Sequence, residues 1–324
     1  MYSKRGAVRR IGLVALVLTA VLVAGCRSGP EPQPSSRGAR AAPPPTTAAP
    51  PTTSTAVAAP EATVLAAGDI AGCDTPGDER TAAVLDAHEG TVVTLGDNVY
   101  ERGTAEAFAA CYGPTWGRHR DRTRPALGNH DYVNGRAAAY FEYFGDAAGE
   151  RGKGWYSFDL GAWHVVALNS NCAVVGGCGA GSEQERWLRA DLAAHPRRCT
   201  LAYWHHARFS SALHGNNDVT AALWQALHEA GADVVLAGHD HDYERFAPLG
   251  PDGRPAPTIG IRQFVVGTGG RSLYAFRAPA PGSEVRHAAS FGVLQLTLKE
   301  AGYDWRFLAV EGSSFTDSGS ATCR

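Results

Sequence analysis

Apolar residues along this chain gather in short runs, each ending abruptly in polar ones. Thr63 to Ala67, Thr91 to Leu95, Thr200 to Trp204 and Asp233 to Ala237 are rich in Val, Leu and Ala, and they predict buried strands. Between them Asp78 to Ala87, Ser182 to Ala194 and Asp218 to Ala230 predict helices, with Ser182 and Glu185 at capping-box spacing. Alternation of strand and helix implies an α/β sheet. The pairs Gly154 to Leu160 with Ala162 to Leu168, and Val293 to Leu298 with Tyr303 to Ala309, read as antiparallel hairpins, so the expected sheets are mixed. No internal repeat and no second linker interrupts this region.

The N-terminal segment has another pattern. Lys4, Arg5, Arg9 and Arg10 precede an apolar run from Ile11 to Ala24 that is too short to span a bilayer, which is the form of an export signal. Its end, Leu22-Val23-Ala24-Gly25-Cys26, resembles the bacterial lipobox, whose cysteine is acylated and becomes the first mature residue. The alternative is an ordinary cleaved signal; Arg9-Arg10 lacks the flanking consensus of a twin-arginine signal. From Arg27 to about Glu61 the chain is nearly all Pro, Ala, Ser, Thr and Gly, which bury too little apolar surface to offset chain entropy. As a polyproline-like tether at about 3.1 Å per residue it would reach roughly 100 Å. The expected organisation is a lipoprotein signal peptide over 1–25, a lipid-bearing Cys26 and tether over 26–61, and a folded domain over 62–324. Such a protein is exported and held by lipid on Cys26 to the outer face of the cell membrane.

With 324 residues, 44% of them hydrophobic, the chain can bury a full core. A net charge of -2, from 30 basic and 32 acidic residues without long runs, offers nothing to attract nucleic acid. Setting Cys26 aside for lipid leaves Cys73, Cys111, Cys172, Cys178, Cys199 and Cys323, an even number that suggests disulfides in an exported protein. Six cysteines allow about 15 pairings, among which sequence does not choose. We expect Cys73 with Cys111, Cys172 with Cys178 around a short glycine loop, and Cys199 with Cys323 pinning the tail. None has metal-site spacing.

Polar clusters follow the strands: Gly68-Asp69-Ile70-Ala71, Gly96-Asp97-Asn98-Val99-Tyr100, Gly128-Asn129-His130-Asp131, Trp204-His205-His206 and Gly238-His239-Asp240-His241. The third follows the short apolar stretch Pro125 to Leu127. In open α/β sheets ligands bind beyond the carboxyl ends of strands, where these clusters fall. One Gly-Asp alone is more often a turn, and one His pair is as often packing. Together they offer two carboxylates, an amide, three imidazoles and a phenol, which suits two adjacent metal ions better than a nucleophile triad. A glycine just before Asp69, Asp97, Asn129 and His239 permits a tight turn close to an ion.

In these five motifs, between about Asp69 and Arg245, the sequence resembles the calcineurin-like metallophosphoesterases, and among them the purple acid phosphatase branch. Ala71 departs from the pattern: that branch has Gly there and phosphodiesterase branches have a ligand His. Its absence is matched by Tyr100, which favours a tyrosinate site. The resemblance implies that Asp69, Tyr100 and His241 hold one metal and Asn129, His205 and His239 a second, with Asp97 bridging. Phenolate is a hard anion, so the first ion is expected to be Fe(III), and the second a divalent Fe, Zn or Mn. The implied fold is a four-layer αββα sandwich, two facing mixed β-sheets flanked by helices. No N-terminal β-sandwich domain like that of large plant enzymes fits before Asp69.

The implied activity is hydrolysis of small-molecule phosphate esters, monoesters above all, by a metal-bridging hydroxide attacking phosphorus in line. His130 would contact the phosphate or protonate the leaving group, with Asp131 fixing its tautomer. His214, nine residues after His205 on a Gly- and Asn-flanked loop, resembles a second outer-sphere histidine of that branch. His206 is expected to be supporting or structural, Asp240 and Asp242 solvated, and Glu244 and Arg245 an ion pair. Gly267 to Gly270 lacks the Lys-Ser/Thr of a phosphate loop and reads as a turn bordering the site. His88, His119, His164, His195, His228 and His287 belong to no motif. The rival activities are a phosphodiesterase or nucleotidase with the same metals, and a catalytically silent cell-envelope binding protein. Gly103 to Arg122 and Ala173 to Gly181 read as loops without a legible substrate code.

Overall fold

The computed structural model describes residues 60–324, so the expected signal peptide, Cys26 and nearly all of the tether lie outside the described residues. Two mixed sheets make up the centre. With strands numbered in chain order, the first sheet runs β13 (Ser318–Thr322), β12 (Gly302–Ala309), β11 (Gly292–Lys299), β1 (Ala62–Ala67), β2 (Thr91–Leu95), β3 (Thr123–Ala126). The second runs β10 (Ser283–His287), β8 (Tyr243–Leu249), β9 (Ile261–Val266), β7 (Val234–Gly238), β6 (Cys199–His206), β5 (Trp163–Ala167), β4 (Tyr156–Leu160). β1, β2 and β3 are parallel, as are β5, β6, β7 and β9; the remaining strands join antiparallel at the flanks.

Period-two alternation divides the second sheet's side chains between two cores. Trp163, Val165, Leu201, Tyr203, Val234 and Leu236 share one core with Val64, Val93 and Leu294 of the first sheet. Val166, Ala202, Trp204, Val235 and Ala237 point the other way, under Leu188, Leu223, Trp224 and Leu227. Both faces are covered, which is why these runs read as continuously apolar. Of the helices α1 (Gly77–Asp86), α2 (Ala105–Ala107), α3 (Ala138–Phe144), α4 (Glu183–Ala194) and α5 (Ala221–Glu229), α1 packs against β11. α4 and α5 cover the second sheet through Leu188, Leu223, Trp224 and Leu227, so the expected layered sandwich is the architecture.

All three expected disulfides are present: Cys73–Cys111, Cys172–Cys178 and Cys199–Cys323. Ser182 caps α4 by accepting from Glu185 N, but the Glu185 carboxylate takes Gly181 N, one residue earlier than a capping box requires. The expected loop from Gly103 to Arg122 is largely helical: α2 leads into a π-turn over Phe108–Tyr112 and a 3-10 segment over Trp116–Arg122. α3, β8, β9, β10 and β13 had no place in the sequence pattern. β8 carries Glu244, Arg245 and Pro248, and β13 alternates half-buried and exposed small residues, so neither shows an apolar run.

Candidate metal centre

The parallel strands β1, β2, β3, β6 and β7 deliver their carboxyl ends to one edge of the sandwich, and all five clusters meet there. Asp69, Asp97 and His239 each follow a strand in the left-handed region, at φ 60°, 49° and 73°. Non-glycine residues seldom adopt that conformation, which costs on the order of 1–3 kcal/mol. Of the motif glycines, Gly96 also turns, at φ 84°, while Gly68, Gly128 and Gly238 serve close approach alone. A Cβ on Gly128 would lie 2.1 Å from Asp97 N and Oδ1, and one on Gly96 2.7 Å from Gly128 N and the His205 ring.

Four predicted ligands converge on one point. Tyr100 Oη lies 2.8 Å from Asp69 Oδ1, 2.9 Å from Asp97 Oδ2 and 3.2 Å from His241 Nε2, and the last is 3.3 Å from Asp69 Oδ1. Beside them His205 Nε2 lies 3.0 Å from Asn129 Oδ1, 3.2 Å from His239 Nδ1 and 3.3 Å from Asp97 Oδ2. Asp97 Oδ2 thus belongs to both groups. Adjacent ligands of an ion with bonds near ~2.1 Å stand about 3 Å apart, so this spacing fits two ions sharing one carboxylate oxygen.

Charge supports the same fit. Asp69 and Asp97 are at most 2% exposed, and among the described residues no Arg or Lys pairs with either. Burial works against the Asp97 carboxylate, yet the positive charge and hydrogen bond of His205 outweigh it and hold that carboxyl below the usual range. Burial likewise lowers His205, but Asp97 raises it further, to about 9. Burial first, then the Asp69 and Asp97 carboxylates, push the Tyr100 phenol well above its ordinary value. Cations bound there would compete with protons for these donors.

Neighbours orient the donors. His205 Nδ1 donates to Leu95 O at 2.8 Å, His241 Nδ1 meets Ser272 Oγ at 2.7 Å, and Asp69 Oδ2 accepts from His239 N at 2.8 Å. Tyr274 stacks on His241 at 4.1 Å, and the Arg271 guanidinium lies 5.4 Å from the Tyr100 ring centroid. Ser272, Tyr274 and Arg271 had no motif to mark them. Their one signal was the Gly267 to Gly270 turn just before them, which does border the site: Gly269 N donates to Gly68 O, and Arg271 N to Asp69 O.

Several expectations need correction. Asp131 does not touch His130; fully buried, it accepts from Gly128 N and from Asn98 N and Nδ2, so it braces two of the site loops. Burial and then Asp97 push it up to about 7. The His130 tautomer is set by Glu101 O, 2.7 Å from Nδ1. Asp240 and Asp242 are not solvated, being 1% and 0% exposed. Asp240 Oδ1 accepts from His214 N at 2.9 Å and from His214 Nδ1 at 2.8 Å, while Ser210 Oγ donates to Oδ2. His214 thus sits 4.0 Å from the His239 ring on a loop that is pinned. Glu244 and Arg245 do not pair with each other: Glu244 binds Ser211 and Ser283, and Arg245 binds Asp317 and Glu284. Adjacent strand residues point to opposite faces, which forbids that pair. Burial, with His205 beside it, pushes His206 down to about 3.

The family model for calcineurin-like phosphoesterases matches residues 62–243. Purple acid phosphatase 21 of Arabidopsis thaliana is 34% identical over 176 residues, 50% of this chain and 39% of that protein. The uncharacterized protein Rv2577 of Mycobacterium tuberculosis is 34% identical over 187 residues, 46% of this chain and 35% of that protein. The chain therefore spans well under half the length of these curated relatives. Purple acid phosphatase PPD1 from yellow lupin superposes with a TM-score of 0.66 at 18% identity, over 82% of this chain and 54% of that one, a likeness of fold.

Proposed function

Because the chain belongs to the calcineurin-like phosphoesterase family, we propose that it is a metal-dependent phosphoric ester hydrolase acting on small phosphate monoesters. The observation that carries this reading is the pair of donor groups meeting at Asp97 Oδ2. Asp69, Asp97, Tyr100 and His241 would hold Fe(III), and Asp97, Asn129, His205 and His239 a divalent Fe, Zn or Mn. When bound, the ions supply an activated water and neutralise phosphate charge.

The chain's own residues do the rest. Asp97 keeps the two groups in register and, through Oδ1, accepts from His130 N at 2.7 Å, which places the His130 ring at the mouth of the site. With Nδ1 committed to Glu101 O, His130 presents Nε2 for a phosphate oxygen or the leaving group. His214, its Nδ1 held by Asp240, presents its other nitrogen beside His239 for the departing alkoxide. Export and a lipid on Cys26 are part of the same proposal, on the lipobox and the Pro/Ala/Thr-rich tether.

Metal-replete protein assayed on a phosphate monoester and its matching diester tests the reading. Faster turnover of the monoester is expected. Preference for the diester would move the assignment to a phosphodiesterase or nucleotidase, and full metal uptake without turnover to a silent binding protein.

A further inference from the structure

His206 has no part in the roles above, yet it stands among the site histidines. Its ring centroid is 4.4 Å from that of His239 and 4.9 Å from that of His205, and one ring nitrogen of each of the three lies within 4.8 Å of the others. Its Nδ1 is committed to Ser170 Oγ at 2.8 Å, and the same oxygen accepts from the His206 backbone N–H at 3.0 Å. Ser170 is 2% exposed, so its O–H needs an acceptor inside the protein, and among the described residues it finds His206 Nδ1. A hydroxyl donating to Nδ1 leaves the imidazole proton on Nε2. That N–H has no protein partner among the described residues.

We infer that His206 is a catalytic residue of this centre: Ser170 fixes its tautomer, and Nε2–H donates to a phosphate oxygen of substrate held beside Asn129, His205 and His239. The inference rests on the phosphoester reading. A nitrogen that carries the proton has no lone pair in the ring plane for a metal, which separates His206 from its two neighbours. Its donor is built in by a residue 36 positions away, so binding phosphate needs no reorientation of the ring.

Two variants divide the ring's functions. His206→Asn leaves an acceptor near the Nδ1 position for Ser170 and removes the donor, whereas His206→Gln places an amide N–H near the Nε2 position. Titration of metal-replete protein with inorganic phosphate is expected to show binding weakened about tenfold or more in His206→Asn, the range for a hydrogen bond to a charged group. His206→Gln should restore it to within a few-fold, and both should retain the metal content of the wild type. Loss of a metal from His206→Asn would make the residue a ligand and overturn the donor role, and so would wild-type phosphate affinity in both variants. A wild type that takes up no metal would overturn the phosphoester reading itself, and the donor role with it.

Discussion

Tyr100 is placed where its own surroundings oppose the ionised form. Burial and two carboxylates raise its pKa, so a phenolate there needs a strongly charged cation beside it, and a trivalent ion meets that need best. Protein loaded with iron should therefore be coloured by phenolate-to-iron charge transfer, and Tyr100→Phe should bleach it. A colourless enzyme fully active with divalent ions alone would refute the iron assignment. Asp240 is the residue whose role the sequence hid: a carboxylate between two histidines reads as loop, and only burial and the contact with His214 reveal it. A general acid contributes roughly 10²- to 10⁴-fold. His214→Ala should slow an alkyl phosphate far more than a nitrophenyl phosphate, whose leaving group is stable as an anion, at unchanged metal content. If Asp240 acts through that ring, Asp240→Ala should lose selectively on the alkyl ester too, and the double variant should be no slower than His214→Ala. Additive losses would give the two residues separate tasks.

At the scale of elements, the carboxyl ends of five parallel strands present the cluster, and the succession of motifs along the chain was legible because an apolar run stops at each. What ties the edge of the second sheet to its covering helix was less so. His164 of β5 is 1% exposed and joins Asp159 of β4 at 3.0 Å to Asp191 of α4 at 2.8 Å. Burial lowers its pKa, but the two carboxylates outweigh burial and raise it, so the folded state binds this proton more tightly than the unfolded one. That contribution is complete below the unfolded value of about 6.5 and disappears as pH rises through the higher folded value. Urea unfolding should find His164→Gln destabilised by about 1–2 kcal/mol near pH ~6 and by less near pH ~9. An equal loss at both would assign the effect to packing.

For the whole molecule, the composition before residue 60, rich in Pro, Ala and Thr, differs from that of the sandwich after it. If Cys26 carries lipid, the native protein should sediment with membranes, and Cys26→Ser should release it or stall its processing while leaving metal content and turnover intact. A wild type recovered wholly soluble and unlipidated would refute the anchor. The chain's local chemistry was enough to establish the α/β class and the five motifs, because apolar periodicity and glycine act over a few residues. The disulfide partners were among many pairings until the fold brought Cys199 to Cys323 across 124 residues. Which neighbours fix each histidine was decided by tertiary structure alone. Ser170 reaches His206, Ser272 reaches His241 and Asp240 reaches His214 across 36, 31 and 26 positions. A hydrogen bond depends on where two atoms are in space, and sequence spacing carries that information only within one strand or one turn of helix.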